Sequence, residues 1–160
     1  MSDCHDIQIL VWGDGAAAAR VRLLAERFLG AAGLRVGDVQ APGPDQGAWE
    51  RAVARPGTGA LLTVGGAGFP AGEIVPDVCH PLIKRPVPGL PEAIREAGFA
   101  ITPLAALFRG TAGMTAEGRL LVNLPADEPW LEASLALLAG VLGHALDKAA
   151  GDPRDCGRVA

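Results

Sequence analysis

The chain is poor in the residues that build disulfide frameworks, metal sites and nucleic-acid surfaces. Its 160 residues include three cysteines and three histidines, and 14 basic residues stand against 18 acidic ones. Cys4, Cys79 and Cys156 are scattered and form no C-x-x-C spacing, so we expect free thiols in a reducing compartment. The net charge of −4 and the lack of a Lys/Arg cluster predict that neither nucleic acid nor an acidic membrane is a partner.

Several sequence signatures are missing as well. No uninterrupted apolar run reaches the ~18 residues of a membrane-spanning helix, and the charged start of the chain does not resemble a signal peptide. These features predict a cytoplasmic protein without a membrane partner. The P-loop signature G-x-x-x-x-G-K-[ST] is absent. No serine or cysteine lies on a recognisable nucleophile elbow, so the sequence does not support a Ser-His-Asp or Cys-His mechanism.

Apolar residues, in contrast, are plentiful. The hydrophobic fraction of 49% and the charged fraction of 20% are typical of a globular domain with a substantial core. The length is close to the ~150 residues expected of one domain. We therefore predict a single domain over residues 1–151, followed by a flexible C-terminal tail over residues 152–160.

The first part of the chain alternates between β-prone runs and helical patterns. Strands are predicted at residues 7–12, 34–39 and Ala60–Val64, and helices at residues 16–32 and around Trp49. Gly33 is in the position expected for the end of the first helix. A strand–helix–strand–helix–strand order favours an α/β fold with a mainly parallel sheet and helices on both faces.

The second part is interrupted by prolines. Four prolines between residues 73 and 89 predict a loop with at most one or two helical turns. Helices are predicted at residues 91–98, from Thr102-Pro103 and from Pro129 onward. Residues 111–114 and 119–123 are predicted to be the two strands of a hairpin.

The four residues after the third strand are the most informative stretch of the sequence. Gly65-Gly66-Ala67-Gly68, called the glycine loop below, directly follows the apolar run Ala60–Val64. The backbone N–H groups of such a loop approach a ligand without hindrance from side chains and are suited to a phosphate. In a parallel sheet the loop would lie at the carboxyl ends of the strands, where ligands bind. A tight turn without a ligand is the alternative interpretation.

Several short motifs that begin with this loop occur in an order that resembles the MogA/MoaB family of molybdopterin-binding proteins of molybdenum cofactor biosynthesis. They are Gly65-Gly66-Ala67-Gly68, residues 73–77, Pro88-Gly89, Thr102-Pro103 and Asn123-Leu124-Pro125-Ala126. The resemblance covers about residues 60–150. It implies a three-layer αβα sandwich, usually assembled as a homotrimer. It also implies a nucleotidyltransferase that adenylylates molybdopterin with ATP and uses Mg²⁺.

The resemblance also implies roles for particular residues. The residues implied to bind the substrate are Gly65, Gly66, Ala67, Gly68, Asn123 and Pro125. Asp45 and Glu73 stand at the positions of the family's two functional aspartates, so they are the implied catalytic residues and Mg²⁺ ligands, as hard cations prefer carboxylates. Without the resemblance, Asp45 would be interpreted as a helix cap after Pro44, and Glu73 as a solvated loop charge.

The chain also departs from the family pattern. Ala67 replaces a threonine, Gly72 an arginine and Ala126 a glycine, while Phe108 stands where a serine is common and Glu73 is one methylene longer than the usual aspartate. These substitutions favour a second interpretation, a molybdopterin-binding or scaffold module without catalysis. Arg109 is interpreted as part of a surface ion pair or as a replacement for the lost positive charge.

A third interpretation comes from the start of the chain. Gly13-Asp14-Gly15 lies between a predicted strand and a predicted helix and fits the pattern G-x-G-x-x-A, and Asp38 closes the next strand. This spacing is typical of a small dinucleotide-binding protein. Against it, the carboxylate of Asp14 inside the phosphate turn would repel a pyrophosphate.

Overall fold

Six strands and five α-helices build the protein in the computed structural model, which describes residues 6–154. The strands are β1 (Asp6–Val11), β2 (Arg35–Gln40), β3 (Ala60–Val64), β4 (Ile83–Pro86), β5 (Ala112–Thr115) and β6 (Leu120–Leu124). The helices are α1 (Gly15–Phe28), α2 (Gln46–Val53), α3 (Val75–Cys79), α4 (Gly89–Phe99) and α5 (Glu128–Ala149). Cys4, Cys156 and residues 155–160 of the predicted tail lie outside the described residues.

The strands form one sheet in the order β2-β1-β3-β6-β5-β4. Strands β2, β1, β3 and β6 are parallel, and β5 is antiparallel to both of its neighbours. The mainly parallel sheet and the predicted hairpin are therefore confirmed. The register places Thr63 of β3 beside Leu10 of β1 on one side and beside Asn123 of β6 on the other.

Side chains of the central strands alternate between two apolar layers. Ile9, Leu62 and Val122 pack in the layer formed with α1, α4 and α5. Leu61 and Leu121 pack in the layer formed with α2 and α3. Because successive strand residues point to opposite faces and both faces are covered, these strands are apolar along their length. The result is the three-layer αβα sandwich that the resemblance implied.

The proline-rich segment 73–89 is more ordered than the sequence predicted. It contains α3, a turn of 3-10 helix at His80–Leu82 and the edge strand β4, where only a loop with helical turns was expected. The prediction missed β4 because prolines argue against strands. An edge strand tolerates them, and β4 is the edge strand next to β5 in the described sheet, so Pro86 removes no hydrogen bond from the interior of the sheet.

The segment after α4 differs in a smaller way. The helix predicted from Thr102-Pro103 is a five-residue 3-10 helix, Pro103–Leu107, rather than an α-helix. Thr102 is its cap as predicted, because its hydroxyl oxygen accepts a hydrogen bond from the backbone N of Leu104 at 3.2 Å. This short helix carries two leucines to the mouth of the cavity described below.

The last helix, α5, is long and apolar although its apolar residues do not form one uninterrupted run. Among residues 6–154, α5 is the helix whose length and composition would suffice to cross a membrane, with 22 residues that include an 18-residue window of mean hydropathy 1.3. Buried core helices can have the same length and composition, and four leucines of α5 are buried in the layer shared with α1 and α4: Leu135, Leu138, Leu142 and Leu146.

Candidate functional site at the carboxyl edge of the sheet

The glycine loop lies where the chain changes direction across the sheet. From β1 the chain goes to β2 on one side and then to β3 on the other, so the carboxyl ends of β1 and β3 flank a topological switch point. Ligands of open α/β sheets bind at such points. The edge is closed by hydrogen bonds from the backbone N of Trp12 to Val64 O (2.8 Å) and from Gly65 N to Leu124 O (2.9 Å).

The first two residues of the loop require glycine. Gly65 and Gly66 have φ of +81° and +63°, the left-handed region that favours glycine. A Cβ on Gly66 would lie 2.6 Å from Cγ2 of Val75 and 2.8 Å from the ring of Trp12. The carbonyl of Gly66 also accepts a hydrogen bond from Val75 N at 3.0 Å, so the loop is held directly against the start of α3.

A cavity of about 180 Å³ opens beside the loop. Of the residues implied by the resemblance, Gly65, Gly66, Ala67, Gly68, Glu73 and Pro125 line it. The other lining residues are Leu104, Leu107, Phe108, Ala126, Asp127 and Trp130. The structure therefore brings most of the candidate residues to one apolar pocket that has loop backbone on one side and two carboxylates at its wall.

Phe108 and Trp130 form the aromatic part of the wall. Their ring centroids are 5.2 Å apart in an edge-to-face arrangement, and the indole N–H of Trp130 donates to Ile94 O at 2.7 Å. The guanidinium of Arg95 lies over the Phe108 ring, 5.8 Å from its centroid. The sequence identified Phe108 only as a departure from serine, and no sequence signal predicted Trp130 as a cavity residue.

Glu73 belongs to the cavity, and its carboxylate has a partner. Its Oε2 accepts a hydrogen bond from the backbone N of Gly68 at 2.5 Å, so the side chain folds back onto the glycine loop. The interpretation of Glu73 as a solvated loop charge is therefore incomplete.

Asp45 does not line the cavity. It caps α2, with Oδ2 accepting from the backbone N of Ala48 at 2.7 Å, and it lies 3.8 Å from the guanidinium of Arg51. The helix-cap interpretation is confirmed. Among residues 6–154 there is also no group of three His, Cys, Asp or Glu side chains that would hold a metal ion. The joint role of Asp45 and Glu73 on one Mg²⁺ stays a prediction.

Asn123 lies inside the protein rather than in the cavity wall. It is fully buried, its Oδ1 accepts from the backbone N of Thr111 at 3.0 Å, and its Nδ2 donates to Thr63 Oγ1 at 2.8 Å. The direct hydrogen bond to ligand that the resemblance implied is therefore not available in this conformation. Asn123 instead positions the start of β5, because its side-chain amide holds Thr111, the residue before β5, next to β6.

Arg109 has a role that the sequence left undecided. The ion pair is confirmed, since Nη1 and Nη2 donate to the two carboxylate oxygens of Asp77 at 3.1 Å each. In addition, Nε donates to Gly68 O at 2.8 Å, Nη2 donates to Glu73 O, and the backbone N donates to Ala67 O at 2.8 Å. One side chain therefore joins the glycine loop, Glu73 and α3. Only the tertiary structure brings these groups together across more than 30 residues.

The buried thiol of Cys79 lies beneath the site, in the layer of α2 and α3. Burial raises the pKa of this thiol from about 9 to about 12, and a hydrogen bond with Asn123 partly opposes the rise. An acid whose pKa is higher in the folded state loses its proton first in the unfolded chain. Stability is therefore expected to fall as the pH rises from about 9 towards 12.

We expect Cys79 to resist thiol reagents in the folded protein. In a Cys4→Ser/Cys156→Ser variant, an aromatic disulfide reagent at pH 8 should release no chromophore until urea unfolds the chain, because the thiolate is the reactive form. The same variant should lose about 1 kcal/mol of unfolding free energy between pH 8.5 and 10 relative to one that also carries Cys79→Ala. Rapid labelling of the folded protein would contradict this expectation.

The start of the chain does not form a pyrophosphate site. Asp14 caps α1, and its Oδ1 accepts from the backbone N of Ala17 at 2.9 Å, so a carboxylate already occupies this helix end. The strand order β2-β1-β3 also differs from the order 3-2-1 of the dinucleotide-binding half. Both observations argue against the dinucleotide-binding interpretation.

The fold and the cavity together define a three-layer α/β protein whose glycine loop opens on a pocket at the switch point of the sheet. The crystal structure of the molybdopterin biosynthesis enzyme MoaB from Thermus thermophilus superposes with a TM-score of 0.78, at 28% identity, over 94% of this chain and 99% of that one. No family model matches the chain.

Two curated relatives agree with this structural likeness. The chain is 34% identical over 101 residues to a molybdenum cofactor biosynthesis bifunctional protein of Synechococcus elongatus, covering 63% of this chain and 31% of the relative. It is 31% identical over 86 residues to the molybdenum cofactor synthesis protein cinnamon of Drosophila melanogaster, covering 54% and 14%. The chain thus spans at most about a third of the length of these relatives. In fold and in sequence the chain is therefore similar to the MogA/MoaB family.

Proposed function

We propose that this protein acts in molybdenum cofactor biosynthesis by binding molybdopterin in the cavity beside the glycine loop. One observation carries the proposal. The left-handed backbone of Gly65 and Gly66 opens onto an apolar cavity, in a fold shared along 94% of the chain with a molybdopterin biosynthesis enzyme. The chain covers 31% and 14% of the two longer relatives, so this function is proposed for the chain from its own fold and cavity.

The chemistry of the cavity supports a ligand with a flat ring and an acidic end. Leu104, Phe108 and Trp130 offer apolar and aromatic surface to a planar heterocycle such as a pterin. The loop offers the N–H of Gly68, a group that suits a phosphate and that donates to the Glu73 carboxylate in this structure. Molybdopterin combines both parts in one molecule.

We further propose that the reaction is adenylyl transfer. An oxygen of the molybdopterin phosphate attacks the α-phosphorus of ATP and forms a new P–O bond. The bond between the α-phosphorus and the oxygen that bridges to the β-phosphate breaks, and pyrophosphate leaves. The task of the protein in such a reaction is to hold the two phosphates in line, because positioning supplies much of the rate enhancement.

Mg²⁺ would neutralise phosphate charge in this reaction. The ion usually binds through one or two carboxylates together with substrate phosphates, so a cage of protein ligands is not required. The cavity wall fits this limited demand, since Glu73 and Asp127 line it. Glu73 is the residue proposed to contact the ion. Asp45 lies outside the cavity wall and caps α2.

A second candidate, molybdopterin binding without transfer, is favoured by the position of Asp45. The second carboxylate that the resemblance assigns to the reaction is engaged as a helix cap and is 71% exposed on its side chain. A cavity that lacks the Asp45 carboxylate would still bind molybdopterin but would not catalyse adenylyl transfer.

Two measurements test these proposals. Molybdopterin is titrated into the protein while tryptophan fluorescence is recorded, because Trp130 lies in the cavity wall. Pyrophosphate release is then followed with molybdopterin, ATP and Mg²⁺. Saturable binding with release supports the transferase, and binding without release supports the second candidate. Absence of binding would refute molybdopterin as the ligand.

Two exposed leucines provide a matched control for that titration. Leu104 lines the cavity and is 67% exposed, while Leu23 on α1 is 69% exposed and is not a cavity residue. Leu104→Ala should weaken molybdopterin binding about fivefold, since about 1 kcal/mol of apolar contact is lost. Leu23→Ala should leave the affinity unchanged. Equal affinities in the two variants would place the ligand elsewhere.

A further inference from the structure

The carboxylate of Glu73 is hydrogen-bonded to the backbone of the glycine loop. It accepts the N–H of Gly68 at 2.5 Å, five residues earlier in the chain. A methyl group on Gly68 would lie 2.7 Å from the same carboxylate oxygen, so the carboxylate fills the space that a side chain at Gly68 would need. The N–H of Gly68 is therefore already bound to an anionic group of the protein, the Glu73 carboxylate.

The geometry of residues 70–73 holds the carboxylate in this place. The backbone N of Glu73 donates to Pro70 O at 3.0 Å, which closes a turn and directs the chain back towards the loop. Arg109 binds the carbonyl oxygens of Gly68 and Glu73 together from outside. The backbones of Gly68 and Glu73 are thus held in place, so the contact between them breaks by rotation of the Glu73 side chain.

Among the described residues, no basic side chain lines the cavity beside this carboxylate. In the part of the chain that the structure describes, the ionisable residues lining the cavity are Glu73 and Asp127, both acidic. The guanidinium of Arg109 is nearby, but all of its nitrogens donate to Asp77, Gly68 or Glu73. A bound anion would therefore have to displace Glu73 from the N–H of Gly68, and it would be repelled by the carboxylates of the cavity wall.

We propose that Glu73 sets the affinity of the glycine loop for anionic ligands, because its carboxylate occupies the amide that a phosphate group takes. The ligand class is a phosphate monoester or pyrophosphate, and it binds after the Glu73 side chain has rotated away from Gly68. The inference rests on the proposed function, since it concerns the same loop. The competition with Glu73 also makes the site selective. An anion that has no ring to fill the apolar cavity displaces the Glu73 carboxylate poorly.

The test is a calorimetric titration of the full chain with inorganic pyrophosphate. Glu73→Ala vacates the Gly68 amide and should bind pyrophosphate at least about tenfold more tightly than the wild type, the change expected when one charge-assisted hydrogen bond no longer competes. Glu73→Gln keeps the shape without the charge and should fall between the two. Glu117→Gln removes an exposed carboxylate from the turn between β5 and β6, which does not line the cavity. This variant should bind pyrophosphate with the affinity of the wild type.

A second readout needs no ligand. In the wild type the Gly68 amide proton should resonate downfield and exchange slowly, as expected for a short bond to a carboxylate, and both features should disappear in Glu73→Ala. Equal pyrophosphate affinity in wild type and Glu73→Ala, or no binding to either, would overturn the inference. Failure of the proposed function is recognised separately, because it is a lack of molybdopterin binding to the wild type.

Discussion

Replacing Gly66 with alanine is expected to destabilise the protein by about 3 kcal/mol or more and to abolish ligand binding at the glycine loop. Gly66 has a φ of +63°, and a non-glycine residue in the left-handed region costs about 1–2 kcal/mol. The new methyl group would also lie 2.6 Å from Val75 and 2.8 Å from the Trp12 ring. Overpacking of this kind costs about 1–3 kcal/mol.

Thermal and urea unfolding measure the first effect. A loss of 3 kcal/mol corresponds to a fall in Tm of about 6–12 °C for a chain of this size. The second effect follows because relief of the clash requires the loop to move away from α3, and movement of about 1 Å is enough to lower binding and catalysis strongly.

Gly72→Ala is the matched control for this prediction. Gly72 follows the same loop, but its φ is not positive and a Cβ would meet nothing within 4 Å. Its unfolding free energy should stay within about 0.5 kcal/mol of the wild type. If Gly66→Ala behaved like Gly72→Ala, the left-handed conformation of the loop would not matter for stability or binding.

Replacing Arg109 is expected to weaken molybdopterin binding about 100-fold, whether or not the positive charge is kept. The guanidinium makes a two-point contact with Asp77 and also binds the carbonyl oxygens of Gly68 and Glu73. A lysine ammonium is a point charge without this planar fork, so Arg109→Lys cannot satisfy all three groups. Arg109→Met removes the charge as well.

The effect on global stability should be smaller than the effect on binding. The side chains of Arg109 and Asp77 are 34% and 60% exposed, and exposed ion pairs contribute at most about 1 kcal/mol. Amide hydrogen exchange should show the main change, which is lower protection of Gly68 and Val75 in both variants. Arg85→Met, on the exposed edge strand β4, provides the control and should leave binding and exchange unchanged.

The two Arg109 variants also separate two roles for this residue. If Arg109 acted as a free cation for phosphate, Arg109→Lys would retain most of the affinity and only Arg109→Met would lose it. If Arg109 positions the loop, both variants lose affinity to a similar extent. Retention of wild-type affinity by Arg109→Lys would therefore refute the positioning role.

Local pattern was sufficient for most of the fold. The apolar runs of β1, β3 and β6 and the cap residues Thr102 and Asp45 predicted elements that the structure contains. These features are encoded in neighbouring residues, because strand burial and helix capping depend on short-range sequence. The edge strand β4 was missed since its pairing with β5 is set by residues about 30 positions away, and its prolines argue against a strand.

The candidate site was only partly readable in the sequence. Gly65 and Gly66 were identified because glycines after a buried strand are a local signal, and Pro125 followed from the order of motifs. Asn123 was assigned to the ligand, whereas the structure buries it against Thr111 and Thr63. Whether a polar side chain at the end of a strand points to the ligand or into the core depends on the face it occupies and on what covers that face.

An α/β domain with a glycine loop after its third strand can be derived from the sequence, since local periodicity and the backbone freedom of glycine are enough to predict both. The surroundings of that loop follow from the folded chain. It turned the Glu73 carboxylate onto the N–H of Gly68, and it directed the Arg109 guanidinium to the carbonyl oxygen of Gly68. These contacts join residues that are distant in the chain or depend on a side-chain rotamer, and neither is encoded in a local pattern.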